Sequence, residues 1–205
     1  MKKTVISIIA IISVLISTTA FAAGDIILTT PDKTGGPTVL EAISNRSSGK
    51  DFVNKEIPLK ALSTIMWAAT GKNRQPKGWT IPLAKGSQPY VSVYAITQKA
   101  VYLYDWDRHL LSLINEDKSI SKKAIAQPGY ENIPLILVFT TKGNSMLAEN
   151  RGDIAVGAMS QNVYLATQAY GLKTRIMGSF NRVTLSSGIN MDPLSKIIAV
   201  MPIGY

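Results

Sequence analysis

The chain has 205 residues, no cysteine, one histidine and a formal net charge of +9 at pH 7. Without cysteine there can be no disulfides, no thiolate-bound iron–sulfur cluster and no thiol catalysis, and His109 alone, without a cluster of acids, gives little material for a zinc site or a catalytic triad. The basic residues are scattered rather than massed in runs, so a small anionic ligand fits the charge better than nucleic acid or a lipid surface.

Residues 1–22 stand apart. Lys2 and Lys3 precede an uncharged, Ile/Val/Leu-rich run from Thr4 to Ser17, and Ala20-Phe21-Ala22 places small residues where a signal peptidase reads. The apolar run is shorter than the roughly 20 residues that span a bilayer, so it reads as a cleaved secretory signal, with no membrane anchor left behind. The expected compartment is a bacterial periplasm or the cell exterior. Cleavage removes two lysines and no acid, taking the charge from +9 to +7. The remaining residues 23–205 fit one domain with one core.

Gly24 to Pro37, punctuated by Pro31, Gly35, Gly36 and Pro37, reads as an extended arm of the kind that often wraps a partner subunit. Thr38 with Glu41 has capping-box spacing and opens a short helix expected to carry Val39, Leu40 and Ile43 inward. That helix delivers Asn45-Arg46-Ser47-Ser48-Gly49-Lys50-Asp51-Phe52, with two cations and two hydroxyls within five residues. Arg46 supplies a planar fork of donors and Lys50 a mobile point charge, while Ser47 and Ser48 can donate through hydroxyl and backbone. This is an anion clamp suited to a phosphate ester, or, on the plainer reading, a basic helix exit facing water.

Pro58 suits the first turn of a second helix in which Leu59, Leu62, Ile65, Met66 and Ala69 recur at threes and fours, ended by Gly71. From Asn73 to Pro89 small and flexible residues lie between prolines, so the backbone can approach a flat ligand closely. Val91 to Ile96, Val101 to Tyr104 and Leu110 to Ile114 read as a three-stranded antiparallel meander, and Ser119 to Ala126 as a polar helix. Ile133 to Thr140 is apolar on both faces, as a central strand should be. The longest helix is expected over Asp153–Tyr170, with Ile154, Ala158, Leu165 and Ala169 on one face, Gly157 keeping it thin and Gly171 closing it. Short strands at Thr174–Met177 and Ile197–Tyr205 follow. This order predicts an α+β sandwich, a mixed or antiparallel sheet covered by helices.

With these residues in view, the chain resembles the nitroreductase-like flavoproteins, in the branch that includes SagB-type dehydrogenases. The likeness spans about Leu40 to Tyr205. It is carried by Arg46-Ser47-Ser48-Gly49-Lys50-Asp51-Phe52, by Pro82-Leu83-Ala84-Lys85-Gly86-Ser87-Gln88-Pro89, by Gly157-Ala158-Met159-Ser160-Gln161-Asn162, by Met177-Gly178-Ser179-Phe180-Asn181 and by the closing Gly204-Tyr205. Leu83 and Gly86 depart from the usual Ser and Asn.

The resemblance implies a homodimer with FMN at the subunit interface. Arg46, Ser48 and Lys50 would then hold the phosphate and ribityl chain, with Ser47 at a position often basic in the family. Pro82, Leu83, Ala84 and Lys85 from the partner subunit would lie along the isoalloxazine ring, and Ile176, Met177 and Gly178 would offer backbone N–H groups to it. An exported oxidoreductase acting on a small, planar or electron-poor acceptor, with an unknown electron donor, is the function this implies. A flavin-free binding module of the same fold is the alternative, and a dimeric envelope protein with a basic surface a third.

Overall fold

The computed structural model describes residues 24–74, 78–82, 84–85, 88–143 and 145–205; the expected leader and Leu83 lie outside them. Seven strands form one sheet, ordered β1-β6-β5-β4-β7-β9-β8, every neighbouring pair antiparallel. They are β1 (Ile26–Ile27), β4 (Val91–Thr97), β5 (Val101–Asp105), β6 (Leu110–Asn115), β7 (Leu135–Thr141), β8 (Lys173–Thr174) and β9 (Ile197–Gly204), while β2 (Ala84–Lys85) and β3 (Gln88–Pro89) make a separate hairpin. This is the expected α+β sandwich, with the sheet wholly antiparallel in its strand pairings.

The meander β4-β5-β6 forms as its alternating pattern predicts, and β7 is buried along its whole length inside the sheet, between β4 and β9. Helices α2 (Leu59–Thr70) and α4 (Met146–Gln168) pack on one face, and the shorter α3 (Ser119–Lys123) and α5 (Arg182–Gly188) on the other. Two cores result. One joins Ile65, Met66 and Met159 to Leu137 and Phe139; the other joins Ile120, Leu185 and Ile189 to Ile136 and Val138. Alternate residues of β7 thus point to opposite cores.

Helix α1 (Val39–Asn45) carries the predicted capping box: Glu41 N–H donates to Thr38 Oγ1 at 3.3 Å, and Thr38 N–H to Glu41 Oε2 at 2.7 Å. These bonds from Thr38 hold the Glu41 carboxyl below its ordinary pKa. Its apolar side chains, however, do not face inward. Val39, Leu40 and Ile43 are 67%, 78% and 50% exposed, and Ala42 is the buried position. Among the described residues no element lies over that face to cover it, so the periodicity located the apolar stripe and not its partner.

Helix α4 differs in a similar way. It begins at Met146, capped by Ser145 Oγ accepting from Ala148 N–H at 3.2 Å, seven residues before the predicted start, because the polar run Glu149–Asp153 hides its first turns. Its buried face is Gly152, Ala155, Val156, Met159, Ser160, Val163, Tyr164 and Thr167. Ile154, 61% exposed, lies on the opposite side, and a Cβ placed on Gly157 would meet nothing within 4 Å.

The arm folds onto its own chain. β1 pairs with β6, Thr29 N–H donates to Ser63 Oγ at 3.0 Å, and Asp32 N–H to Thr64 Oγ1 at 2.9 Å. His109, at φ 51° in the turn after β5, fastens it further, with Nε2 3.0 Å from Thr29 carbonyl oxygen and Nδ1 2.8 Å from Tyr104 hydroxyl. With Nε2 donating, Nδ1 accepts from Tyr104, which is the neutral tautomer. Burial, aided by the charge of Lys33, lowers the His109 pKa against the opposing bond to Thr29.

Smaller departures concern element ends. α3 stops at Lys123, β8 is two residues long with Met177 joining β9 through an isolated bridge, and Gly71 ends α2 in extended rather than left-handed backbone. Gly71 is required by closeness: a Cβ there would lie 2.4 Å from the Trp67 ring. Helix α5, capped by Asn181 Oδ1 accepting from Thr184 N–H at 3.1 Å, has no sequence counterpart above, since Ser186-Ser187-Gly188 is a poor helix former.

Candidate functional site

The clamp segment leaves α1 at Arg46, whose backbone (φ −60°, ψ 127°) turns the chain from helical to extended. The next residues run beside β8. Ser48 forms a parallel bridge to Thr174, and Gly49 N–H donates to Thr174 carbonyl oxygen at 2.9 Å. Glycine is required at 49 by that approach, since a Cβ would lie 2.6 Å from Lys173 Cβ. Asp51 then takes φ 58° and anchors through its N–H to Gly129 carbonyl oxygen at 2.9 Å.

Tyr164, from the buried face of α4, ties the pieces together. Its ring lies 4.9 Å from the Arg46 guanidinium carbon, within cation–π range. Its hydroxyl is 3.1 Å from Ser48 Oγ and accepts from Ile176 N–H at 3.0 Å. One side chain therefore sets the rotamer of the clamp's arginine, the position of its serine and the start of the 176–178 turn.

Among the predicted site residues, the structure brings Arg46, Ser47, Ser48 and Lys50 alongside Ile176, Met177 and Gly178. Ser47, Ser48, Lys50, Ile176 and Gly178 are exposed, so the surface they share is open. Lys50 Nζ lies 4.0 Å from its neighbour Asp51, both side chains well exposed, an ion pair too weak to hold the lysine away from a ligand. The backbone donors are fewer than expected. Ile176 N–H is spent on Tyr164, and Met177 N–H on Val200 carbonyl oxygen at 2.9 Å, with the Met177 side chain turned into the core. Gly178 keeps open space around it, and among the described residues its N–H meets no acceptor.

Pro82, Ala84 and Lys85 sit elsewhere. They belong to the segment entering and forming the β2-β3 hairpin, which no hydrogen bond among the described residues joins to the clamp. Asn162 of α4 positions its approach, donating from Nδ2 to Ala68 carbonyl oxygen at 3.0 Å and to Thr80 carbonyl oxygen at 3.1 Å.

Tyr164, Lys173 and Arg175 were not singled out from the sequence. A tyrosine on the buried face of a long helix, four residues from Ser160, needs a partner for its hydroxyl, and that was the available signal. Lys173 and Arg175 flank Thr174 and add positive charge beside the clamp; Arg175 Nη1 reaches Tyr130 hydroxyl at 3.4 Å. The arrangement can hold an anion against Arg46 and Lys50 while a flat group lies against the open backbone at Gly178.

Residues 43–205 match the profile of the Nitroreductase family. A protein from Methanocaldococcus jannaschii whose name describes it as a nitroreductase is 26% identical over 180 residues, covering 80% of this chain and 89% of its own. A solved structure from Ralstonia eutropha, also described as a nitroreductase, superposes with a TM-score of 0.76 at 29% identity, covering 88% of each chain. A chain of the Escherichia coli microcin synthetase complex, solved with a truncated microcin precursor bound, has a TM-score of 0.64 at 16% identity. That match covers 98% of this chain and 84% of the other, and shows the fold alone.

Proposed function

Because the chain belongs to the nitroreductase family, a family of oxidoreductases, we propose that it is an exported, FMN-dependent oxidoreductase acting as a homodimer on a small, planar or electron-poor acceptor. The observation that carries this reading is the Tyr164 junction, which seats Arg46 and Ser48 beside the Ile176–Gly178 turn.

The residues present fit the group. A phosphate ester needs a preset cation, and Arg46 stacked on Tyr164 has already lost the rotamer freedom that a free arginine would lose on binding. Lys50 and the two serine hydroxyls add a mobile charge and two donors. The open space at Gly178 admits a flat ring edge, and its N–H is the backbone donor left for that edge. The flavin, when bound, supplies reversible electron uptake and release. This chain's residues bind, orient and shield it, which is consistent with a sequence holding one His and no Cys. The segment Pro82, Leu83, Ala84 and Lys85 would complete the site from the second subunit.

Loss of the Ile176 and Met177 N–H groups to internal bonds favours weak retention of the ring, and keeps the flavin-free binding module as the second reading. Absorbance of purified protein reconstituted with FMN separates the two. The pair Arg46→Ala and Lys50→Ala should weaken FMN by roughly ten- to a hundredfold, the loss of at least one charge-assisted contact of about 1.5–3 kcal/mol, at unchanged thermal stability. Equal FMN affinity in that variant would refute the phosphate assignment.

A further inference from the structure

Where β4 begins and β5 and β7 end, a cavity of about 690 Å³ opens between the sheet, the last turn of α2 and Trp79. That is within the roughly 300–1,000 Å³ of small-molecule sites. It shares no lining residue with the clamp or the 173–178 segment. Its walls are apolar at one side, where Trp79 and Trp106 meet edge to face with ring centroids 5.7 Å apart and form a corner beside Val91, Val93 and Leu103.

Its polar groups are incompletely matched. Thr70 and Trp79 both line it and are 1% and 9% exposed, yet Thr70 Oγ1 and Trp79 Nε1 have no hydrogen-bond partner among the described residues. Each of those two atoms is almost wholly covered, so they lie behind the cavity wall and the charged lining decides what the cavity takes. The charges there are unbalanced. Asp105 takes Arg108 at 2.7 Å and Asp107 takes Lys72, which uses both lining carboxylates. Lys142, at the exposed rim, has no carboxylate partner among the described residues and reaches only Gln88 Oε1 at 3.5 Å. Partial loss of hydration lowers the Lys142 pKa, so an anion beside it would restore what the wall removes.

We infer that this cavity binds a small aromatic carboxylate, its ring against Trp79 and Trp106 and its acid group on Lys142. The aromatic wall and the lysine together select the class: a neutral aromatic would leave Lys142 unmatched, and an acid without an aromatic body would leave the tryptophan wall wet. The cavity would serve this ligand whether or not flavin binds at the clamp.

Calorimetric titration of the folded protein with 6-hydroxy-2-naphthoate, against 2-naphthol as the neutral control, tests it. Saturable binding of one molecule per chain is expected for the acid, with 2-naphthol at least about tenfold weaker, and Lys142→Gln weakening the acid by a similar factor. Trp106→Ala, which removes the half-buried ring of the aromatic wall, should weaken it several-fold. Should that variant fail to fold, Lys142→Gln on the exposed rim still decides the matter. Binding of the acid should persist unchanged in the Arg46→Ala, Lys50→Ala protein. No saturable heat up to the solubility limit of the acid, equal binding of 2-naphthol, or unchanged binding to Lys142→Gln would each overturn the assignment.

Discussion

Helices α1 and α2 both carry apolar residues at threes and fours, yet α2 buries Ile65 and Met66 completely while α1 leaves Leu40 78% exposed. The difference lies in what stands opposite. α2 lies between the sheet, α4 and the arm, whereas among the described residues the outer face of α1 is left uncovered. Burial is worth roughly 1.5–3 kcal/mol for a Leu, Ile or Val side chain, and on α1 most of that is unrealised in a single copy. The same holds for Ile154 on the outer face of α4, where Gly157 leaves open space. Amphipathic spacing reports that a helix has a face to cover, and leaves open whether its own chain covers it. A second copy is the cover that the proposed homodimer would supply.

Leu40→Asp with Ile43→Asp should break the contrast most strongly. Placing charge on a face that a partner desolvates should raise the dimer dissociation constant by on the order of a thousandfold or more, read by light scattering during size exclusion. An unshifted dimer would mean that this face lies outside the interface. In α2, Ile65→Ala should cost about 2–5 kcal/mol of stability in urea unfolding, whereas Leu40→Ala, measured at concentrations where the chain is monomeric, should stay within about 0.5 kcal/mol. Similar losses at both positions would erase the distinction.

A third variant sharpens the comparison where α1 ends. Tyr164→Phe removes the hydroxyl that meets Ser48 and Ile176, leaving an N–H without its acceptor, at a cost of about 1–3 kcal/mol. FMN affinity should fall with it, because Ser48 and the turn lose their common anchor; unaltered FMN binding would show that the clamp is set without Tyr164. The smallest effect concerns the arm covering α2. A histidine whose folded pKa is depressed binds fewer protons than the unfolded chain, so its contribution is full above the usual pKa of about 6.5. It is lost as pH falls from there through the folded value. The urea midpoint should therefore drop between about pH 7.5 and 5.5, and His109→Gln should flatten that part of the profile.

Much of this was legible before any coordinates. The Thr38/Glu41 box, the β4-β5-β6 meander and the buried β7 each rest on contacts within a few residues or on a simple alternation, so their spacing in the chain specifies them. The charged half of the proposed site lies on one stretch of sequence, since Arg46, Ser48 and Lys50 are near neighbours. What spacing could not show was the 116-residue reach from Ser48 to Tyr164, or that the N–H groups of Ile176 and Met177 were already committed to Tyr164 and Val200.

The order of apolar and polar residues by itself determined the sheet-and-helix class, the fully buried strand inside the sheet and the cationic stretch here proposed to meet an anion. Only the tertiary structure decided which face of α4 is core, that the arm returns to its own sheet, and that one tyrosine joins the clamp to the 176–178 turn. Local propensity and periodicity are properties of neighbours along the chain. Choice of partner depends on which surfaces can exclude water together, and that is settled only when distant segments have packed.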